Sequence, residues 1–325
     1  MDRLSYSNSD YYIAAKRGKG RMTRVILEDE SLRDGLQFEQ RILPLEEKLA
    51  LFRLLVNAGV KRMQVGSFVH PHLIPQMADT DEFVRIITNE CTGILVTALV
   101  LNDKGLERAR ACHLTHLTMS VSASDAHSKR NVKRPSLKAL MDMIELVKNA
   151  VDSGIKVRVG IQCAFGCVYE GAISEDKILE IASRLAESGA IELNLADSTG
   201  MGNPIQVKRL VKKIINEVPG RSISLHLHDT RGLGIANMMA GYEAGVEIFD
   251  VSAGGLGGCP FIVGASGNVP TEDAVNLFDQ SGVHTGIDIE TLCKVVDRYE
   301  ELLGRQLPGR MNRVIKAEKG LCLGQ

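Results

Sequence analysis

No sign of charge dominates this 325-residue chain. Lysine and arginine together number 39, against 40 aspartate and glutamate residues, so the formal net charge is −1. A broad electrostatic attraction to nucleic acid or to an anionic membrane surface is therefore not expected. With 44% hydrophobic and 24% charged residues, the composition is that of an ordinary globular protein and not that of a disordered, collagenous or coiled-coil chain.

Long apolar runs are also missing. The longest markedly apolar stretch, 94–101, is short and includes Thr97, whereas a membrane-spanning helix needs about 20 apolar residues. No signal-peptide hydrophobic region precedes the seven irregularly spaced cysteines, which argues for a reducing compartment and against a disulfide-stapled fold. We expect a soluble protein without membrane spans, in the cytoplasm or, in a eukaryote, in the mitochondrial matrix.

Short stretches rich in Val, Ile, Leu or Thr alternate with helical patterns along most of the chain. This alternation indicates βα units around a parallel sheet. In the first predicted helix, apolar residues recur at intervals of three and four from Leu45 to Val56, which places one apolar stripe against the sheet. The predicted strands begin near Arg24, Arg62, Ile94, Thr115, Lys156, Ile191, Ser222 and Glu247.

Eight βα units in about 260 residues fit a (β/α)8 barrel, or TIM barrel, in the α/β class. Four predicted helices end before a glycine suited to the left-handed C′ position: Gly59, Gly154, Gly189 and Gly245. An open doubly wound sheet is the alternative, but the glycine fingerprints G-x-G-x-x-G and G-x-x-x-x-G-K-[ST] are absent. We predict an N-terminal extension over 1–22, the barrel over 23–285, and a C-terminal helical segment over 286–325 packed on the barrel.

Polar residues follow the predicted strands, at the ends that meet on one face of such a barrel. His226 and His228 lie two apart, so both imidazoles point to the same side of a strand. With Asp34 after the first strand and an amide oxygen from Asn268, they form a mixed oxygen and nitrogen ligand set. Such a set suits Mg²⁺, Mn²⁺, Co²⁺ or Zn²⁺ in a catalytic role. The alternative is that hydrogen bonds at a strand end satisfy both histidines.

The motifs at these positions resemble those of the 3-hydroxy-3-methylglutaryl-CoA lyases, within a wider family of metal-dependent barrels that includes the isopropylmalate and homocitrate synthases. The resemblance covers residues 24 to 285. Condensing relatives generally lack the cysteine found here at position 259. The most specific segments are 31–37, 67–69, 75–77, 163–171, 226–230 and 254–273.

This resemblance implies a divalent metal, Mg²⁺ or Mn²⁺ before Co²⁺ or Zn²⁺, on Asp34, His226, His228 and Asn268. The implied partner is an acyl-CoA substrate. The implied reaction is retro-Claisen cleavage of 3-hydroxy-3-methylglutaryl-CoA, or of a close analogue with another substituent at C3. The products would be acetyl-CoA and acetoacetate or another 3-keto acid.

The resemblance implies catalytic roles for Arg33, Asp197 and Cys259, and His226 is a further candidate because an imidazole titrates near neutral pH. Arg33 would stabilise negative charge on the thioester oxygen, although it could simply pair with Asp34 or Asp29. Asp197 would accept the hydroxyl proton or orient a water, although an Asp at such a turn is often a helix N-cap. Cys259, with His226, would protonate the acetyl-CoA enolate.

Basic residues crowd the loop after the fourth predicted strand. Lys129 and Arg130 could bind the phosphates of CoA, and a solvated run of charge is the alternative. A homodimer is expected from the resemblance. It is also expected because the extra C-terminal helix carries an apolar stripe that needs a cover. The stripe consists of Leu292, Val295, Val296 and Leu303.

Two departures from the lyase pattern bear on the substrate. Gln64 stands where the lyases have a glutamate near the end of the second strand, and an amide cannot supply that negative charge. The loop Ser122–His127 has Asp and His where lyases have a glutamate and an aromatic residue, which is closer to the condensing relatives. The alternatives are therefore a Claisen condensation of acetyl-CoA with a 2-keto acid, or a non-catalytic barrel that binds metal or CoA.

Overall fold

The structure, a computed structural model, describes residues 24–90, 93–258 and 267–323. Within these ranges, eight parallel strands close into a barrel in which each strand pairs with the next and the first pairs with the last. The predicted (β/α)8 barrel is therefore confirmed. The strands are β1 (Ile26–Asp29), β2 (Arg62–Ser67), β3 (Leu95–Leu99), β4 (His116–Ser122), β5 (Lys156–Gln162), β6 (Glu192–Asp197), β7 (Ser222–Leu227) and β8 (Ile248–Val251).

Helices alternate with the strands and cover the outside of the barrel. None of the described helices is long and apolar enough to span a membrane. Short helical turns follow β1 (Ser31–Gly35) and β8 (Ala253–Gly255). The helices are α1 (Leu45–Asn57), α2 (Thr80–Glu90), α3 (Asp103–Ala111), α4 (Asp125–Asn131), α5 (Ser136–Asp152), α6 (Glu175–Glu187), α7 (Pro204–Glu217), α8 (Gly234–Ala244), α9 (Thr271–Gln280), α10 (Ile289–Leu303) and α11 (Met311–Leu323).

The four glycines predicted to end helices all have positive φ, which confirms their left-handed conformation. At Gly59, φ is 98°. A Cβ there would also lie only 2.4 Å from the carbonyl oxygen of Gly286. Glycine is therefore required at this turn, both for the backbone conformation and for the close approach of the chain after α9.

The interior of the barrel contains an ionic layer. Arg158 on β5 donates a hydrogen bond to Glu28 on β1, and these strands lie on opposite sides of the ring, so the contact crosses the interior. Arg62 on β2 binds the same carboxylate at 2.5 Å and Glu192 on β6 at 2.9 Å. All four side chains are buried. We call Glu28, Arg62, Arg158 and Glu192 the ionic layer; barrels more commonly fill this space with branched apolar residues.

The C-terminal helices pack on the barrel. Helix α10 lies against α1, α9 and α11, and the Tyr299 hydroxyl donates to Ser31 Oγ at 2.9 Å. The predicted apolar stripe of this helix is covered by the same chain: Leu292, Val295 and Val296 are buried, and Leu303 packs against the core. This stripe therefore offers no surface that needs a second copy, and the homodimer stays a prediction. The predicted extension over 1–22 lies outside the described residues, and the proposed segment boundaries stay a prediction.

Candidate active site

A one-turn π-helix after β1 positions Arg33 and Asp34 at the mouth of the barrel. The turn Ser31–Gly35 closes on the carbonyl of Glu30, which accepts from the amides of Arg33 at 3.0 Å and Gly35 at 3.1 Å. All of its residues are buried. The chain thereby turns two charged side chains inward directly at the carboxyl end of a strand, where barrel enzymes place their functional groups.

The two histidines of β7 meet Asp34 at this mouth. The Nε2 atoms of His226 and His228 are 3.1 Å apart, so two imidazole nitrogens converge on one point. One possible ligand atom from each of Asp34, His226 and His228 lies within 4.8 Å of the other two. The structure therefore brings together three of the four predicted metal ligands, drawn from opposite ends of the chain.

Asn268, the fourth predicted ligand, lies beside them in an isolated bridge with His228. Its Nδ2 donates to Asp34 Oδ2 at 2.9 Å and to the carbonyl of Leu256 at 3.1 Å. Its Oδ1 is buried and has no hydrogen-bond partner among the described residues. A buried acceptor of this kind calls for a partner, and a divalent cation between the carboxylate and the imidazoles would provide one. The residues present therefore fit a divalent metal.

Close packing at Gly257 supports this arrangement. Its φ is 101°, and a Cβ there would lie 2.6 Å from Asn268 Nδ2 and 3.0 Å from Asp34 Oδ2. Any side chain at this position would push the two groups aside. Glycine is thus required at position 257 to keep the candidate ligands together.

The tautomer and charge of the histidines are set by their neighbours. His226 Nδ1 lies 3.2 Å from Asp250 Oδ2 and 3.6 Å from Glu30 Oε2, which places its proton on Nδ1 and leaves Nε2 free to bind a metal. Burial acts to lower the pKa of His226, but these carboxylates raise it overall. Burial, with the neighbouring His226, lowers the pKa of His228 to about 4, so His228 is neutral at pH 7, as a ligand must be.

Arg33 is held by two carboxylates. Its Nη1 donates to Asp34 Oδ1 at 2.5 Å and its Nη2 donates to Glu30 Oε2, while its Nε is buried without a hydrogen-bond partner in the described part of the chain. Burial acts to raise the pKa of Asp34, but Arg33 and the two histidines hold it below its usual range. The salt bridge to Asp34 considered from the sequence is present, and Glu30 takes the place suggested for Asp29.

Negative charge exceeds positive charge around this mouth. Burial raises the pKa of Glu30 to about 8 even though Arg33 opposes it. Five buried carboxylates face three guanidinium groups, which leaves two formal negative charges to be offset by protons or by a cation. The carboxylates belong to Glu28, Glu30, Asp34, Glu192 and Asp250, and the guanidinium groups to Arg33, Arg62 and Arg158. We call Glu30, Arg33, Asp34, His226, His228 and Asp250 the mouth cluster.

Asp197 ends β6 at the same face. Its carboxylate accepts hydrogen bonds from the amides of Met201 at 2.9 Å and Gly202 at 3.0 Å, and burial raises its pKa to about 6. Asn203, not Asp197, caps the following helix by accepting from the amide of Gln206. The helix-cap interpretation of Asp197 is therefore wrong, and the carboxylate closes a tight turn at the mouth.

The remaining predicted site residues lie at the rim of the barrel or outside the residues that the structure describes. Lys129 and Arg130 are exposed on α4, directly after β4. Lys129 pairs with Asp125 at 2.5 Å, and the Arg130 guanidinium lies 3.9 Å from the centre of the Tyr169 ring. Cys259 lies outside the described residues.

Sequence reasoning missed two members of the mouth cluster. Glu30 directly precedes the segment 31–37, in which Arg33 and Asp34 were the predicted site residues. Asp250 is an acidic residue inside the apolar strand β8, which is the signal that could have found it. Gln64 also contacts the cluster, since its Nε2 donates to Glu30 Oε1 at 2.8 Å.

Comparison with known proteins places the chain in a family. The sequence model of the HMGL-like family matches residues 24–298. The chain belongs to this family. Among solved structures of its members, the hydroxymethylglutaryl-CoA lyase of Pseudomonas aeruginosa superposes with a TM-score of 0.87 at 33% identity and covers 92% of this chain and 99% of its own. An HMG-CoA lyase of Acinetobacter baumannii, solved with coenzyme A and 3-methylmalate, gives 0.85 at 35%, with coverage of 90% and 95%.

Two HMGL-like relatives with assigned names bear on the substrate. The (R)-citramalyl-CoA lyase of Chloroflexus aurantiacus is 38% identical over 301 residues, which is 90% of this chain and 95% of the relative. The hydroxymethylglutaryl-CoA lyase of Bacillus subtilis is 34% identical over 294 residues, which is 90% of this chain and 98% of the relative. Both names describe lyases of CoA thioesters, with different acyl groups.

Proposed function

We propose that this protein is a metal-dependent carbon–carbon lyase for CoA thioesters with a hydroxyl group at C3. The substrate class is 3-hydroxy-3-methylglutaryl-CoA or a close analogue with another C3 substituent, cleaved to acetyl-CoA and a keto acid. The observation that carries the proposal is the meeting of Asp34, His226 and His228 beside the buried Arg33 at the barrel mouth. Membership in the HMGL-like family and the names of the relatives support it.

The proposed metal ligands are Asp34, His226, His228 and Asn268, through a carboxylate oxygen, two imidazole nitrogens and the unpartnered amide oxygen. This mixed donor set suits Mg²⁺ or Mn²⁺, and would also accept Co²⁺ or Zn²⁺. A bound divalent cation supplies Lewis-acid polarisation of substrate oxygens.

Residues of the chain itself would accept the proton of the substrate hydroxyl and stabilise the negative charge that forms on the thioester. Asp197 has a pKa of about 6, so it is a stronger base than an ordinary aspartate and would accept the proton of the C3 hydroxyl. As the carbonyl forms at C3, the C2–C3 bond breaks and its electrons move into the thioester enolate. Arg33, fixed by its two carboxylates, would stabilise the negative charge on the thioester oxygen. Protonation at C2, which we assign to Cys259 with His226, would complete acetyl-CoA.

CoA binding is proposed for the rim of the barrel. Lys129 and Arg130 present positive charge on the first helix after β4, and Tyr169 fixes the Arg130 guanidinium by stacking. A phosphate is recognised well by such a preorganised guanidinium. Replacement of Arg130 should therefore weaken thioester binding, measured as a higher KM, with little change in kcat.

A direct assay tests the proposal. The purified protein is incubated with Mg²⁺ or Mn²⁺, a thiol reductant and either racemic 3-hydroxy-3-methylglutaryl-CoA or (R)-citramalyl-CoA, and acetyl-CoA and the keto acid are measured. We expect metal-dependent cleavage of at least one thioester, lost on chelation. Release of CoA from acetyl-CoA plus 2-keto acids, without cleavage, would instead establish a condensing enzyme. Bound metal without either reaction would establish a non-catalytic barrel.

A further inference from the structure

The side chain of Glu30, directly after β1, points into the barrel. The pairing of β1 with β2 aligns Glu28 with Arg62 and Asp29 with Met63, so the next step brings position 30 beside Gln64. Side chains alternate along a strand, and Glu28 points into the ionic layer. Glu30 accordingly lies one step nearer the mouth on the same inner side, where 1% of it is exposed.

Both oxygens of this carboxylate are engaged by different groups. Oε2 accepts from Arg33 Nη2 and lies 3.6 Å from His226 Nδ1. Oε1 accepts from Gln64 Nε2 at 2.8 Å and lies 3.8 Å from Arg158 Nη2. Glu30 is thus the one anion of the described mouth cluster that contacts the guanidinium of Arg33 without belonging to the proposed ligand set.

This distinction matters because Asp34 takes part in two interactions. It would bind the cation, and it also accepts from Arg33 Nη1. If Asp34 were the sole anchor of Arg33, the guanidinium and the cation would compete for one carboxylate and repel each other at short range. A second carboxylate on Nη2 holds the planar guanidinium from the other side, so Asp34 is not the only carboxylate that Arg33 contacts.

We infer that Glu30 is a positioning residue for the lyase reaction: held by Gln64, it shares the Arg33 guanidinium with Asp34, so that the guanidinium faces the substrate thioester and Asp34 is not its sole anchor. The inference rests on the proposed function. It also gives a physical account of the amide at position 64. Two ionised carboxylates in contact at positions 30 and 64 would repel each other. With an amide at position 64, only position 30 of this pair carries an ionisable group.

The matched test exchanges the two side chains. Glu30→Gln keeps the shape of the side chain and removes its ionisable group. After a flip of the Gln64 amide, its oxygen can accept a hydrogen bond from the amide of the new side chain. The oxygen of the new side chain can still accept from Arg33. The double variant Glu30→Gln/Gln64→Glu keeps the pair and its total charge and moves the carboxylate to β2. Gln64→Glu alone places two acids in contact. Glu175→Gln is the control, since it removes a surface carboxylate paired with Arg209 and Lys213.

We expect Glu30→Gln to lower kcat by about 10- to 100-fold, the usual cost of losing a group that orients a functional side chain. KM should change little, because substrate binding is not removed. The double variant should regain most of the lost kcat and exceed both single variants, a coupling that independent sites do not show. Melting temperatures of all four proteins should stay close together.

Two results would overturn the inference. One is Glu30→Gln with the kcat of the Glu175→Gln control. The other is a double variant no better than Glu30→Gln, with both melting at lower temperature, because that is the behaviour of a purely structural contact.

The activity of the wild-type protein distinguishes failure of the proposed function from failure of this inference. If it cleaves neither thioester, the function is wrong, and the anchoring is then tested without turnover by crystal structures and by Mn²⁺ titration followed by electron paramagnetic resonance. In Glu30→Gln we expect the Arg33 guanidinium to turn toward Asp34 and Mn²⁺ affinity to fall by about 10-fold. An unmoved Arg33 with unchanged Mn²⁺ affinity would overturn the inference.

Discussion

Two groups of buried charges occupy the same barrel, and they differ in their balance. In the ionic layer, two guanidinium groups face two carboxylates, and both arginines contact both acids. In the mouth cluster, three carboxylates face one guanidinium. Balanced charge at the bottom connects strands across the ring, whereas the excess negative charge at the top has to be offset by protons or by a cation.

Asp250 joins the two groups. It accepts from Arg158 below and from His226 above. Burial acts to raise its pKa, but Arg158 and His226 hold it well below its usual range. Asp250 therefore connects a guanidinium of the ionic layer to His226, a proposed metal ligand.

The largest expected effect is that a substitution in the mouth cluster abolishes activity and leaves the fold intact. His226→Ala removes a proposed ligand, so we expect cleavage to fall by about 10³-fold or more, beyond the roughly 10- to 100-fold cost of an outer group. Unfolding of the metal-free protein should change little. Acetyl-CoA release and thermal melting measure the two quantities, with His284→Ala, an exposed histidine, as control. A variant that unfolds would show that the mouth also holds the barrel together.

The opposite behaviour is expected of the layer. Arg158→Met leaves Glu28 and Asp250 without their shared guanidinium, so the free energy of unfolding should fall by about 3–5 kcal/mol. Arg209→Met, which removes a surface partner of Glu175, should lower the free energy of unfolding far less, because water screens an exposed pair. Urea denaturation compares the two. Equal losses would mean that the buried layer is no more than a set of surface-like pairs.

A cation should stabilise the protein through the mouth alone. At a Mn²⁺ concentration about 100-fold above Kd, the free energy of unfolding should rise by about 2.7 kcal/mol, and chelation should reverse the gain. Differential scanning calorimetry with and without Mn²⁺ measures it. The gain should vanish in His226→Ala; a gain of the same size in that variant would place the cation elsewhere.

A third kind of buried carboxylate has no guanidinium partner in the described ranges. Glu272 on α9 accepts from the amide of Gly254 at 3.0 Å, and burial raises its pKa to about 8. The folded state then keeps a proton that the unfolded state loses above pH 4.5. The free energy of unfolding should therefore fall by up to about 1.4 kcal/mol per pH unit as the pH rises to about 8.

Glu272→Gln should remove this slope, because the amide keeps the hydrogen bond and does not titrate. Urea denaturation between about pH 5 and pH 8 measures it, with Glu175→Gln as a control whose slope should equal that of the wild type. An unchanged slope in Glu272→Gln would assign the pH dependence to other acids.

The barrel was predictable from the sequence because each strand and helix is a local pattern. Every predicted strand begins within two residues of its observed start, and the glycines that end helices follow from backbone sterics. Asp34, His226 and His228 were also predictable, since the carboxyl ends of parallel strands meet at one face. Family membership is confirmed, whereas the catalytic roles stay proposals.

The ion pairs inside the barrel were not predictable. Arg158 and Glu28 are 130 residues apart, and strand patterns give no pairing of side chains across a ring. The contact of Glu30 with Gln64 was hidden for a related reason. It depends on the register between β1 and β2, and a shift of one strand by one residue would turn its side chain to the outside of the barrel.

The closure of the ring by β1 and β8 has a consequence for synthesis. The proposed ligands come from the first βα unit, from the seventh strand and from the segment after the eighth. On the ribosome, this set is incomplete until Asn268 has emerged. Binding of a metal at the proposed site would therefore be a late event in the synthesis of each molecule, because a nascent or truncated chain that lacks the last strand does not have the full set of proposed ligands.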